Sequence, residues 1–169
     1  MQIEVVQGDI TLQDTDAIAN SANSTLSGGG GVDGAIHRAS GPRLLAACQQ
    51  VREARFPKGL PEGEAVLTPG FDLRAKYVIH AVGPQYAEKG RSALSRAFTS
   101  ALRIADEKGL NSVALPAIGT GAYGWPKKVA AEVLREALGA FRPKSLQLVR
   151  VVLLTADDYL AFRSELEML

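Results

Sequence analysis

Asp16-Ala17-Ile18-Ala19-Asn20-Ser21-Ala22-Asn23, followed four residues later by Gly28-Gly29-Gly30-Gly31-Val32-Asp33-Gly34-Ala35-Ile36-His37-Arg38-Ala39, is the stretch that decides the fold. Its apolar start, Asp16–Asn20, has the length and content of a buried strand, and Val32–Ser40 is predicted as a helix. Between them lies a polar loop that ends in four consecutive glycines, Gly28–Gly31. A strand, a glycine-dense loop and a helix in that order form the unit from which α/β domains are assembled.

The rest of the chain repeats this alternation. Ile3–Gln7, Glu64–Thr68, Lys76–Val82, Ser112–Leu115 and Leu148–Leu154 read as further strands. Several are apolar at consecutive positions, such as Tyr77-Val78-Ile79, which suits a sheet covered on both faces. Arg43–Arg55 reads as a helix separated from Val32–Ser40 by Gly41-Pro42. Leu94, Ala97, Phe98, Ala101, Leu102 and Ala105 form a helical stripe that stops at Gly109. Val129, Val133, Leu134, Ala137, Leu138 and Phe141 form another, with Pro126 near its first turn. Tyr159, Phe162, Leu166 and Leu169 mark a last helix, with Asp157 and Asp158 at its start, where acids suit the dipole. The expected fold is a single α/β domain over residues 1–169, a three-layer α/β/α sandwich around a central mixed, mostly parallel sheet. Ligands in such folds sit over the carboxyl ends of the strands.

Composition narrows the function. The chain has 169 residues, 46% hydrophobic and 22% charged, the profile of a folded globular domain. Nineteen basic against eighteen acidic side chains leave a net charge of +1, so no overall field attracts nucleic acid or anionic lipid. No apolar run approaches the ~20 residues of a membrane span, and the first residues lack the basic segment of a signal peptide. A cytoplasmic location and a monomer are the expectations. One cysteine, Cys48, excludes an internal disulfide and a multi-cysteine metal site; neither metal nor cofactor is expected.

Glycine is the exception to this ordinary profile. Of 17 glycines, five fall in Gly28–Gly34 and three in Gly119–Gly124. Such loops let backbone approach a ligand without Cβ interference and turn successive N–H groups to one side. Placed before a helix they favour an anion, most often phosphate, and two of them could embrace a diphosphate. Gly119-Thr120-Gly121-Ala122-Tyr123-Gly124 matches the dinucleotide fingerprint G-x-G-x-x-G, as do Gly29, Gly31 and Gly34. The acid required ~20 residues later is missing after the former, where Gly139, Arg142 and Lys144 stand, and the strand required before it is missing for the latter. A dinucleotide dehydrogenase is therefore disfavoured, and without G-x-x-x-x-G-K-[ST] so is a P-loop ATPase. Near the loops stand Asp9 after the first strand, Asn20 and Asn23 at the end of the second, and Asp33 inside the glycine cluster. A carboxylate among phosphate-binding donors suits a ribose hydroxyl or a proton taken from water; helix capping is the competing role.

These segments resemble the macrodomain family, over essentially the whole chain and in the same order. They are Gly8-Asp9-Ile10-Thr11, Asp16–Asn23, Gly28–Ala39, Lys76-Tyr77-Val78-Ile79-His80-Ala81-Val82-Gly83-Pro84 and Gly119-Thr120-Gly121-Ala122-Tyr123-Gly124-Trp125-Pro126. The run Gly-Gly-Gly-Gly-Val-Asp-Gly is similar to the MacroD-type hydrolase branch. The resemblance implies a cleft for ADP-ribose (ADPR), with Asp9 accepting from the adenine amino group beside Ile10 and Asn23 holding the distal ribose. Gly30, Gly31 and Val32 would form one phosphate loop, and Gly119, Thr120, Gly121, Ala122 and Tyr123 the other. Asn20 is counted with the binding residues, and Asp33 and Asn23 with the catalytic ones. The implied reactions are release of mono-ADP-ribose from acidic side chains of modified proteins and deacetylation of O-acetyl-ADP-ribose. Both cleave an ester at the distal ribose without metal. Asp33 either takes the proton from water or orients a water activated by the substrate's own phosphate.

Two positions depart from the family's habit. Leu154 stands where an aromatic ring often packs on adenine, a loss of stacking on the order of 1 kcal/mol. Gly119 stands where serine is frequent. Alternative readings are a non-catalytic ADP-ribose-binding module and an ADP-ribose phosphate phosphatase. A nucleic-acid accessory factor lacks the basic groove it would need, and ADP-ribosylated nucleic-acid ends are the one nucleic-acid substrate left open. His37 and His80 are expected to be satisfied core residues and Cys48 a small core residue. The basic positions Arg38, Arg43, Arg52, Arg55 and Lys58 are read as a solvated helix face, and Trp125 as packing at the loop rim.

Overall fold

The computed structural model describes residues 1–169. Six strands, β1 (Gln2–Gln7), β2 (Ala17–Ala22), β3 (Ala65–Pro69), β4 (Tyr77–Val82), β5 (Ser112–Leu115) and β6 (Leu148–Leu153), alternate with five helices. These are α1 (Gly31–Ser40), α2 (Pro42–Arg55), α3 (Arg91–Glu107), α4 (Lys127–Ala140) and α5 (Ala156–Leu166). The strands form one sheet in the order β1-β6-β5-β2-β4-β3. All neighbours run parallel except β3 and β4, so the sheet is mixed and mostly parallel, as expected.

Side-chain alternation along each strand builds the two outer layers. Ala17 and Ala19 of β2, Ile79 and Ala81 of β4, and Val149, Val151 and Leu153 of β6 pack with α3, α4 and α5. Ile18 and Ala22, Val78 and Val82, and Val152 face the opposite way, toward Ile36 of α1 and Leu44 and Cys48 of α2. Both faces of the sheet are thus covered, which is why its strands are apolar at consecutive positions.

Element ends differ from the sequence reading in instructive places. β2 continues past Asn20 because Ser21 and Ala22 pair with Ala81 and Val82. β6 stops at Leu153, and Leu154 emerges 72% exposed. Two short 3-10 turns, Ile10–Leu12 and Glu88–Gly90, were not foreseen. No helix is long and apolar enough to cross a membrane.

β2 leads into α1 on one face of the sheet and β5 leads into α4 on the other, although the two strands are neighbours. Their connections leave in opposite directions and open a crevice over the carboxyl ends of the strands, the usual ligand position in an open α/β sheet.

Candidate functional site

A cleft of about 640 Å³ occupies that crevice. Its walls come from the turn after β1, the β2–α1 loop, the β5–α4 loop and the end of β6. Both glycine clusters border it.

The first cluster is shaped by what glycine permits. Gly28 and Gly31 have φ of 79° and 56°, in the left-handed region. A Cβ at Gly34 would collide with the carbonyl oxygen of Gly29, so the loop lies directly against the first turn of α1. At Gly30 and Gly31 a Cβ would meet nothing within 4 Å; there the backbone faces open space. Gly30 is the N-cap of α1 and no side chain caps the helix. The first-turn N–H groups therefore keep their capacity for an anion, supported by the helix dipole.

Asp33 does not cap that helix. It is 6% exposed, and its Oδ1 accepts from Asn20 Nδ2 at 2.8 Å. His37, one turn further along α1, brings Nε2 to 3.4 Å from the same oxygen. Oδ2 lies toward Gly29 of the loop. Asn20 Nδ2 is also 3.1 Å from His80 Nδ1, and His80 Nε2 is 2.9 Å from Thr68 Oγ1. Cys48 Sγ lies 3.7 Å from that same nitrogen. Burial, followed by the nearby His37 charge, lowers the His80 pKa to about 3. Burial, and then the Asp33 charge, push the Cys48 thiol up to about 12. A neutral imidazole and a protonated thiol thus stand behind the carboxylate.

Asn23 braces the loop with most of its side chain. Its Nδ2 donates to Gly28 O at 2.9 Å, while Oδ1 accepts from Thr25 Oγ1 and Ser27 N. One amide hydrogen is left over for the cleft. Arg52 supports the same loop from behind, donating to the carbonyls of Thr25, Phe56 and Pro57; it is a brace rather than part of a solvated face.

The second cluster rests on aromatic packing. Trp125 is 2% exposed, donates from Nε1 to Pro84 O at 2.8 Å and meets the Tyr86 ring edge-on at 5.1 Å. It lies beneath the loop rather than at its rim, because its indole fills the space that Gly119 leaves empty. A Cβ at Gly119 would come within 2.9 Å of Trp125 Cδ1, and its φ is +88°. Backbone bonds from Gly124 N to Gly121 O and from Trp125 N to Gly119 O close the turn. Gly121 is open on its Cβ side. Burial, then Glu62 and Asp33, raise the Tyr123 pKa, so its hydroxyl remains a donor.

At the far end of the cleft, Asp9 caps the 3-10 turn by accepting from Thr11 N and Thr11 Oγ1. Both bonds go to Oδ1. Ile10 beside it is buried, and Leu154 supplies an exposed aliphatic wall.

The cleft is lined by Asp9, Ile10, Asn23, Gly30, Gly31, Val32 and Asp33, and by Gly119, Thr120, Gly121, Ala122, Tyr123 and Leu154. Asn20 is the exception. Its side chain is fully buried and points at Asp33 and His80, because β2 extends two residues further than expected and sets Asn20 below the cleft floor. The sequence reading left His37 without a part in the site. The spacing of four residues from Asp33 on one helix was the signal that could have found it.

A model of the family described as Macro domain matches residues 19–134 of the chain. A macro domain-containing protein of Streptomyces coelicolor is 49% identical over 166 residues, which cover 97% of this chain and 98% of that one. A Cronobacter sakazakii protein named O-acetyl-ADP-ribose deacetylase is 46% identical over 160 residues, 93% of this chain and 88% of that one. The solved structure of an Oceanobacillus iheyensis macrodomain mutant with ADPR has a TM-score of 0.94 to this chain. It is 39% identical, and the match covers 98% of this chain and 92% of that one.

Proposed function

This chain belongs to the Macro domain family, and on that premise we propose that it binds ADP-ribose and hydrolyses an ester at the distal ribose. The substrates are proteins mono-ADP-ribosylated on acidic side chains, and O-acetyl-ADP-ribose. The observation that carries the hydrolytic reading is Asp33, a nearly buried carboxylate within a phosphate-type glycine loop, held on one oxygen by Asn20 and free of helix capping. A module that only binds has no use for that charge beside an anionic ligand. The deacetylase name of the Cronobacter relative supports the same chemistry, and the ADPR in the Oceanobacillus structure supports the ligand.

In this reading adenine lies between Ile10 and Leu154, with its amino group on the Asp9 carboxylate. The diphosphate takes the N–H groups of Gly31, Val32 and Asp33 on one side and those of Gly121, Ala122 and Tyr123 on the other. Asn23 donates its remaining amide hydrogen to the distal ribose. Water attacks the acyl carbon, the bond from that carbon to the ribose oxygen breaks, and the ribose keeps the oxygen as a hydroxyl. The proton from water goes to Asp33 Oδ2, or to a substrate phosphate oxygen with Asp33 orienting the water, and passes from there to the departing ribose oxygen as the bond breaks. The products are ADP-ribose and the free carboxylic acid.

The test is release of ADP-ribose from an Asp/Glu-modified protein and of acetate from O-acetyl-ADP-ribose, with calorimetric binding of ADP-ribose alongside. Turnover by the wild type that collapses in Asp33→Ala, with binding retained, is the expected result. Binding without any turnover by the wild type would leave a reader module in place of an enzyme, and no binding would remove the ligand assignment.

A further inference from the structure

Among the groups that the proposed reaction leaves unused, one set is connected to the cleft by hydrogen bonds yet buried beneath it. Asn20, His80 and Thr68 are 0%, 1% and 2% exposed. They interrupt an otherwise apolar layer between the sheet and helices α1 and α2. Asn20 and His80 are direct cross-strand partners in the β2–β4 register. A polar set in such a place costs stability unless its bonds are made, and one of its atoms, Asn20 Oδ1, has no partner at all. An aliphatic residue at position 20 would avoid that orphan. Asn20 is therefore present for its two donors.

The direction of each bond follows from charge and valence. Asn20 Nδ2 has two hydrogens, and it lies 2.8 Å from Asp33 Oδ1 and 3.1 Å from His80 Nδ1. The reversed amide would set Asn20 Oδ1 against the Asp33 carboxylate, acceptor against acceptor. With Nδ2 donating to both, His80 Nδ1 must accept, so the imidazole carries its hydrogen on Nε2. That N–H donates to Thr68 Oγ1 at 2.9 Å. The order is thus Thr68, His80, Asn20, Asp33, each fixing the orientation of the next.

We propose that His80 is a positioning residue for Asp33: as a neutral acceptor at Nδ1 it holds the Asn20 amide in the one orientation that binds Asp33 Oδ1, leaving Oδ2 for the reacting water. Turning the Asn20 amide over, or rotating it away, frees the carboxylate to swing, and displacements on the order of 1 Å near reacting atoms cost about 10²-fold in rate. The proposal rests on the ester-hydrolase reading of the cleft. It adds to that reading a control of catalysis from a histidine that touches no substrate.

His80→Asn and His80→Gln separate this role from simple filling of space. Asparagine returns an acceptor oxygen close to the position of Nδ1, whereas glutamine reaches the Nε2 side and leaves Asn20 without its acceptor. Turnover of O-acetyl-ADP-ribose and calorimetric binding of ADP-ribose are measured for the wild type and both variants. The expected result is that kcat falls about tenfold or more in His80→Gln. KM and ADP-ribose affinity stay within twofold, and His80→Asn keeps kcat within about threefold of the wild type. Thr68→Val provides a further arm, because without its acceptor the imidazole hydrogen can move to Nδ1, where it opposes Asn20. A severalfold drop in kcat with unchanged KM is expected there, at a residue without contact to Asp33, and it serves if a His80 variant does not fold. Equal kcat in the two His80 variants, a loss that falls on KM, or a Thr68→Val enzyme like the wild type overturns the proposal. A wild type without turnover overturns instead the reading on which it rests.

Discussion

The two glycine-rich loops bordering the cleft rest on quite different foundations. Behind Gly28–Gly34 stands a chain of buried hydrogen bonds, from Thr68 through His80 and Asn20 to Asp33. Behind Gly119–Gly124 stands an indole, with Tyr86 against its edge. In the first loop glycine is needed so that backbone can meet backbone, Gly34 against the Gly29 carbonyl. In the second it is needed so that backbone can clear a large ring at Gly119. A loop set on polar groups can hold a charged side chain at a fixed angle. A loop set on an aromatic cushion offers its own N–H groups and neutral hydroxyls, with no charged side chain. Under the proposed function the first loop carries the chemistry and the second grips the diphosphate.

Substitutions can break that division or sharpen it. The largest effect is expected for Asp33→Ala, with a fall in turnover of about 10²- to 10⁴-fold and less than a tenfold change in ADP-ribose affinity by calorimetry. Comparable losses of rate and affinity would contradict a separate chemical role for the first loop. Trp125→Ala should act the other way. It removes a buried aromatic at a cost of about 3–5 kcal/mol in stability, read from urea midpoints, and affinity should fall more than kcat.

A smaller, steric effect is expected for Gly34→Ala. Its methyl group must displace the Gly29 carbonyl, at about 1–3 kcal/mol. Gly121→Ala enters open space, leaves the urea midpoint unchanged and weakens ADP-ribose binding. If the two alanine substitutions destabilise equally, the loops are not built as described.

A further test, whose main effect needs no substitution in either loop, is pH. Folding lowers the His80 pKa from 6.5 to about 3, so between those values the unfolded chain holds a proton that the folded chain refuses. His80 thus makes stability fall as pH drops from about 6.5 toward 3, with a slope of at most about 1.4 kcal/mol per pH unit. Urea midpoints across that window should show the slope in the wild type and a flatter profile in His80→Asn. Trp125→Phe, in the second loop, should leave the slope as it is.

Much of this was legible in the chain. Strand and helix positions follow from apolar runs and helical stripes, and β4 and β5 differ from the expectation by a residue or less. Asp33 could be found because a carboxylate inside a glycine run conflicts with a loop suited to phosphate. Ends set by pairing could not be found. β2 runs on to Ala22 only because β4 offers Ala81 and Val82, and that extension takes Asn20 out of the cleft and sets it against Asp33. The bond between Asn20 and His80 spans sixty residues of sequence. No local pattern encodes it, since it depends on the register of two strands that meet only once the sheet has formed.

The sequence by itself determined the layers, the two loops and the residue types gathered around the cleft, because periodicity and glycine content act locally. Tertiary structure alone decided what stands behind each loop. Packing chose an indole for one and an amide and imidazole for the other, and in a buried layer the positions of donors and acceptors follow from which strands lie side by side.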